Sequence, residues 1–167
     1  IILMGHSLGG KVAMKFATQF YNFLYKLIII DICPKYYILK HQSIINMLDN
    51  LDLSILRSRK EAYEILNQIL NDELLSQFLV KNLYRLPNNF FDFRFNLKFI
   101  KKNIETLGEE LSCNEISLTN SLFIKGEKSD YILPDDKFII RKHFTNSKII
   151  EIKDANHWIH VSNRDNL

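Results

Sequence analysis

Cysteine is nearly missing. Cys33 and Cys113 are the two in 167 residues, far apart and in no metal-ligand spacing, which argues against a disulfide framework or a zinc module and leaves reduced, buried thiols as the expectation. No apolar run approaches the length that crosses a bilayer, and no internal repeat or low-complexity tract is present. A charge excess is lacking too. Lys and Arg number 22 against 19 Asp and Glu, a net +3, with the signs mixed along the chain, which argues against nucleic acid or an anionic membrane as partner. No signal peptide is visible, and for a reduced chain the default compartment is cytoplasmic. The chain starts at Ile1 without a methionine, in what reads as the middle of a strand, so a piece of a longer protein is expected. What is there is ordinary for a soluble domain, 47% hydrophobic and 25% charged, and long enough to bury a core.

Glycine is also scarce, at five, yet Gly5, Gly9 and Gly10 crowd into the first ten residues. They follow a short apolar run, Ile1 to Met4, that suits a strand buried on both faces. From Lys11 to Phe20, apolar Val12, Ala13, Phe16, Ala17 and Phe20 have helical spacing. Leu27 to Ile32 is β-branched and stopped by Pro34, a second buried strand. Strand, helix and strand in this order make a βαβ unit with parallel strands. Residues 35–119 then read as mostly helical, with Arg59 to Leu70 and Asp72 to Leu83 the clearest cases and an aromatic run, Phe90 to Phe95, interrupting them. Strand signals return at Ser121 to Lys125, closed by Gly126, and at Ser147 to Lys153. Pro134 to Phe144 between them reads as a helix, with Pro in its first turn, Asp135 and Asp136 near its start and Arg141, Lys142 and His143 near its end, as the macrodipole favours. The expected class is α/β, a mostly parallel sheet with core segments 1–34 and 120–167 and a helical insertion over 35–119.

Gly5-His6-Ser7-Leu8-Gly9 is the segment that points to chemistry. Gly-x-Ser-x-Gly alone is weak, since chance supplies it in about one chain of this length in twenty, but here it lies where a strand turns directly into a helix, the place a nucleophilic serine needs. Such a turn strains the backbone and demands small neighbours, which Gly5 and Gly9 provide. It also sets the hydroxyl at a helix N-terminus, where free N–H groups favour developing negative charge. The competing reading is a glycine-rich turn with Ser7 as a helix cap. A serine hydroxyl needs a base. Of the histidines, His6 is adjacent in the turn and points away, His41 falls in the insertion and His143 near a helix end. His157 follows the last strand, at the carboxyl edge where sites in open parallel sheets assemble, and is the candidate base. His160 forms His-x-x-His with it, but no third metal ligand is in view. The acid that orients the imidazole is Asp31, at the end of the second strand, or Asp130, in the loop after Gly126.

The run Gly5 to Met14 resembles the turn and following helix of the YbfF-type esterases, within the α/β-hydrolase superfamily. The likeness continues through Ile30-Asp31-Ile32-Cys33-Pro34, Arg94-Phe95-Asn96-Leu97 and Asn156-His157-Trp158-Ile159-His160, spanning nearly the whole chain. It implies a partial α/β-hydrolase fold with a helical cap inserted between core strands, lacking the strands before the turn and the last helix. It also implies a serine hydrolase of small-molecule acyl esters or thioesters that uses no cofactor or metal. Leu8 would supply one oxyanion-hole N–H. The superfamily commonly places its acid where Ser129 stands; YbfF-like relatives tend to lack an acid there, so the resemblance favours Asp31 over Asp130. Lys98 replaces an aspartate found in some relatives, and Asn156 a glycine.

The expected sequence of events is proton transfer from Ser7 to His157, attack on the acyl carbonyl, an oxyanion held in part by Leu8, and hydrolysis of the acyl-enzyme. Tyr36, Tyr37 and the aromatics of 90–95 are candidates to line an acyl pocket or to pack the insertion. Alternatives are a non-catalytic hydrolase-like domain, an inactive fragment, and a C–C hydrolase or haloperoxidase on the same scaffold. Serine rather than aspartate at position 7 disfavours a dehalogenase or an epoxide hydrolase. An apolar edge left uncovered at Ile1 to Met4 is expected to make the isolated chain poorly soluble.

Overall fold

The structure is a computed structural model that describes residues 1–37 and 42–163. The chain divides into two compact units, Ile1–Tyr37 with Leu107–Leu167, and Ile38–Thr106.

In chain order the first unit begins with β1 (Ile2–His6), α1 (Leu8–Gln19), a short 3-10 turn at Tyr21–Phe23 and β2 (Lys26–Ile30). The second unit holds α2 (Gln42–Asn50), α3 (Arg59–Leu70), α4 (Glu73–Lys81), β3 (Leu83–Arg85), β4 (Phe91–Phe93) and α5 (Leu97–Lys102). After α6 (Ile104–Leu107), the chain continues with β5 (Ser121–Gly126), α7 (Asp136–His143), β6 (Ser147–Ile152) and α8 (Ile159–Ser162).

The four long strands form one parallel sheet in the order β1-β2-β5-β6, with Leu3 opposite Leu27, Ile28 opposite Leu122 and Phe123 opposite Ile149. Parallel pairing brings all four carboxyl ends to one edge, and every residue of interest lies just past such an end. One sheet face is sealed by Ala13, Met14 and Ala17 of α1, Phe144 and Ile140 of the α7 segment, and Leu27, Ile29 and Phe123 of the strands. Apolar residues at helical spacing on α1 make this face. The central strands β2 and β5 are deeply buried, but β1 differs from expectation. Ile2 and Met4 are 60% and 64% exposed, because among the described residues β1 pairs only with β2 and its second face is uncovered.

Boundaries shift for local reasons. Helix α1 starts at Leu8 rather than Lys11, since the Ser7 carbonyl accepts from the N–H groups of Gly10 and Lys11 at 2.8 and 3.1 Å. Strand β2 stops at Ile30 because Asp31 turns to φ 50°. In the second unit, Asp72 caps α4 by accepting from Leu75 N–H at 3.0 Å. The expected continuation to Leu83 instead becomes β3, which pairs antiparallel with β4 drawn from the aromatic run. Phe91 and Phe93 point into that unit's core with Leu48, Leu66, Leu79 and Leu83.

Candidate active site

Ser7 sits between β1 and α1 at φ 53°, ψ −123°, a conformation that costs a non-glycine residue about 1–3 kcal/mol. The close turn explains the glycines, though not the pair expected. A Cβ on Gly5 would meet the Gly9 carbonyl oxygen at 2.3 Å, and one on Gly10 would meet Ile32 Cγ2 at 2.4 Å, whereas one on Gly9 would meet nothing within 4 Å. Smallness is therefore required at Gly5 and Gly10, and the expectation for Gly9 is corrected. The Ser7 hydroxyl makes no cap to the helix; the carbonyl does that work. Its Oγ instead lies 3.1 Å from His157 Nε2.

The other imidazole nitrogen, Nδ1, lies 2.8 Å from Asp31 Oδ2. Asp31 is completely buried, so its charge needs partners. Its Oδ1 accepts from Gly126 N–H at 3.0 Å, and its Oδ2 also accepts from the Ser129 hydroxyl. With Nδ1–H committed to the carboxylate, Nε2 is left to accept from Ser7. Asp31, Ser7 and His157 thus come from three strand ends and meet at one edge. Gly126 makes the approach of the His157 loop feasible, because a Cβ there would meet the Ala155 and Asn156 carbonyl oxygens at 2.6 and 2.7 Å.

Of the remaining expected residues, Leu8 stays beside Ser7 and most others lie away from His157. Asp130 is exposed, and the carboxylate on His157 is that of Asp31. Leu8 opens α1, so its N–H has no acceptor within the helix. His143 is buried, with Nδ1 2.8 Å from the Glu115 carbonyl oxygen, and His160 is exposed; His41 lies outside the described residues. Among the described residues no group of three or more His, Cys, Asp or Glu side chains is placed to hold a metal. Tyr36 is exposed. Tyr37 donates its hydroxyl to the Tyr131 carbonyl at 2.5 Å and accepts from Cys33 N–H at 2.9 Å, and burial pushes its phenol well above the usual tyrosine range. Cys33 is buried and its thiol pushed up to about 12, chiefly by desolvation; Cys113, expected buried, is exposed. Within the second unit, Leu48, Phe93, Phe95, Arg94 and Lys98 line a cleft of about 450 Å³.

Sequence reasoning missed two neighbours of His157. The His6 ring lies 4.8 Å from that of His157, and its Nε2–H donates to the His157 carbonyl at 2.9 Å, so it does not simply point away. Burial holds its pKa below the usual histidine value, although the bond to that carbonyl favours the charged form. The Tyr131 ring stacks on His157 at 3.8 Å between centroids. Neither contact follows from spacing along the chain, since the sheet brings the partners together.

A mostly parallel sheet with a serine on a strained strand-to-helix turn defines the α/β-hydrolase fold, present here in part. No protein-family model matches the chain. It is 34% identical to a Haemophilus influenzae protein named an esterase/lipase, over 99% of this chain and 56% of that protein. It is 28% identical to esterase YbfF of Escherichia coli, over 97% of this chain and 62% of that one. A solved structure titled as a marine microorganism esterase superposes with a TM-score of 0.90 at 32% identity, covering 98% of this chain and 65% of the other. These matches bear out the resemblance to the YbfF-type esterases of the α/β-hydrolase superfamily. The chain spans between half and two thirds of the length of these relatives.

Proposed function

We propose that the protein is a serine hydrolase that cleaves small-molecule acyl esters or thioesters, with Ser7 as nucleophile, His157 as general base and Asp31 as the orienting acid. One observation carries the reading. The Ser7 hydroxyl caps no N–H of its own helix, and it lies 3.1 Å from an imidazole whose far nitrogen is held by a buried carboxylate.

In this mechanism His157 Nε2 takes the Ser7 proton as Oγ attacks the acyl carbonyl carbon. The Leu8 N–H, at the positive end of α1, donates to the carbonyl oxygen as it gains charge. Asp31 holds the imidazolium in place and offsets its charge without taking its proton. The imidazolium gives its proton to the departing alcohol or thiol. Water, activated by the same base, then releases the acid from Ser7.

Hydrolysis of p-nitrophenyl acetate and of an acetyl thioester tests the proposal. Ser7→Ala should lower kcat by about 10⁴-fold or more while leaving the circular dichroism spectrum unchanged. Retained turnover in that variant would remove Ser7 from the chemistry.

A further inference from the structure

The two rings of His157 and Tyr131 lie nearly parallel, with an interplanar angle of 14° and centroids 3.8 Å apart. Neutral aromatic pairs prefer offset or edge-on arrangements at about 4.5–7 Å, because face-to-face stacking opposes two negative π clouds. A cation over a π face has the opposite preference and is attracted by it. The stack on Tyr131 therefore gains attraction when the imidazole carries a positive charge. In the proposed mechanism His157 gains its positive charge as it takes the Ser7 proton, so an attraction of this kind strengthens on the way to the transition state.

Tyr131 is itself held from several directions. Its carbonyl accepts from the Tyr37 hydroxyl at 2.5 Å, its N–H donates to Ser129 Oγ at 3.3 Å, and the Tyr37 ring stacks against it with centroids 5.7 Å apart. Its phenol is pushed up by burial and by the nearby Asp130 and Asp31 charges, which keeps the ring neutral. The geometry points to Tyr131 as a positioning residue for the base: its ring fixes the plane of the His157 imidazole, and its π face favours the imidazolium formed as Ser7 loses its proton. This rests on the assignment of His157 as the base. The charged and titratable groups that also face the imidazole are Asp31 beyond β2 and His6 at the end of β1, both unchanged in the comparison below.

The test replaces Tyr131 by phenylalanine and by pentafluorophenylalanine in the full-length protein. The two rings have the same outline and opposite charge on their faces. Tyr131→Phe should keep kcat for p-nitrophenyl acetate within about twofold of the parent. The fluorinated ring should lower kcat about threefold to thirtyfold at unchanged KM. It should also move the acid limb of the pH–rate profile to lower pH, because the base then loses its proton more readily. A titration of the His157 ring protons by NMR should move the same way and does not depend on turnover. If the protein cleaves no ester, that titration still decides the role of Tyr131, so failure of the hydrolase reading and failure of this one are separate results. Equal titration midpoints in the two variants would overturn the proposal, as would equal kcat values in an active enzyme.

Discussion

At the residue scale the proposed chemistry turns on where a single carboxylate is placed. Asp31 combines complete burial with three donors, Gly126 N–H, the Ser129 hydroxyl and His157 Nδ1–H. A buried carboxylate without such donors would cost several kcal/mol. Asp130 sits one residue beyond Ser129, exposed. Replacing Asp31 by Asn removes the charge and turns an acceptor toward a donor, so the imidazole loses its tautomer. Ester turnover should fall about 10⁴-fold in Asp31→Asn and stay within about twofold in Asp130→Asn, measured as kcat. The reverse ranking would reassign the acid. Along the sequence both aspartates were candidates. Residue types and chain order do not say which of the two carboxylates faces His157, and only the resemblance favoured Asp31.

At the element scale the strand-to-helix turn is the feature most legible in sequence. Four apolar residues, a Gly-x-Ser-x-Gly motif and helical spacing afterwards identify it, and β1, Ser7 and α1 follow in that order. What the sequence hid is which glycine the turn needs, because that depends on what lies across the turn and against β2. Gly5 faces the Gly9 carbonyl at a separation no Cβ tolerates, while Gly9 faces open space. Gly5→Ala should lower stability by about 2–4 kcal/mol, read by urea unfolding. Gly9→Ala should be neutral or stabilising by up to about 1 kcal/mol, since alanine restricts the unfolded chain and favours the helix. A large loss in Gly9→Ala would mean that the turn is tighter than this geometry. The hairpin of β3 and β4 was not legible for a similar reason. Helical spacing carried the reading on to Leu83, and the alternation of Phe91 and Phe93 reveals its buried face only once its partner strand is known.

At the scale of the whole molecule, the sheet order places Ser7, Asp31, Ser129 and His157 past the ends of four adjacent parallel strands, and this convergence gathers scattered residues into a candidate site. The class of fold was readable from alternating strand and helix patterns. The exposed face of β1 was not read from its apolar composition, which suggested burial on both sides. Ile2 and Met4 are solvent-facing on an edge strand, a template for pairing with other chains. The 167-residue chain should therefore associate as its concentration rises in sedimentation velocity, and the double variant Ile2→Lys, Met4→Lys should reduce that association. A monomer at all concentrations would show that the edge is protected.

The proposed proton transfer from Ser7 to His157 is tested most directly by labelling the protein with a fluorophosphonate and locating the adduct by peptide mass spectrometry. A single adduct is expected, on the peptide containing Ser7, formed far more slowly in His157→Asn. An adduct on another serine, or equal labelling with and without the imidazole, would contradict it.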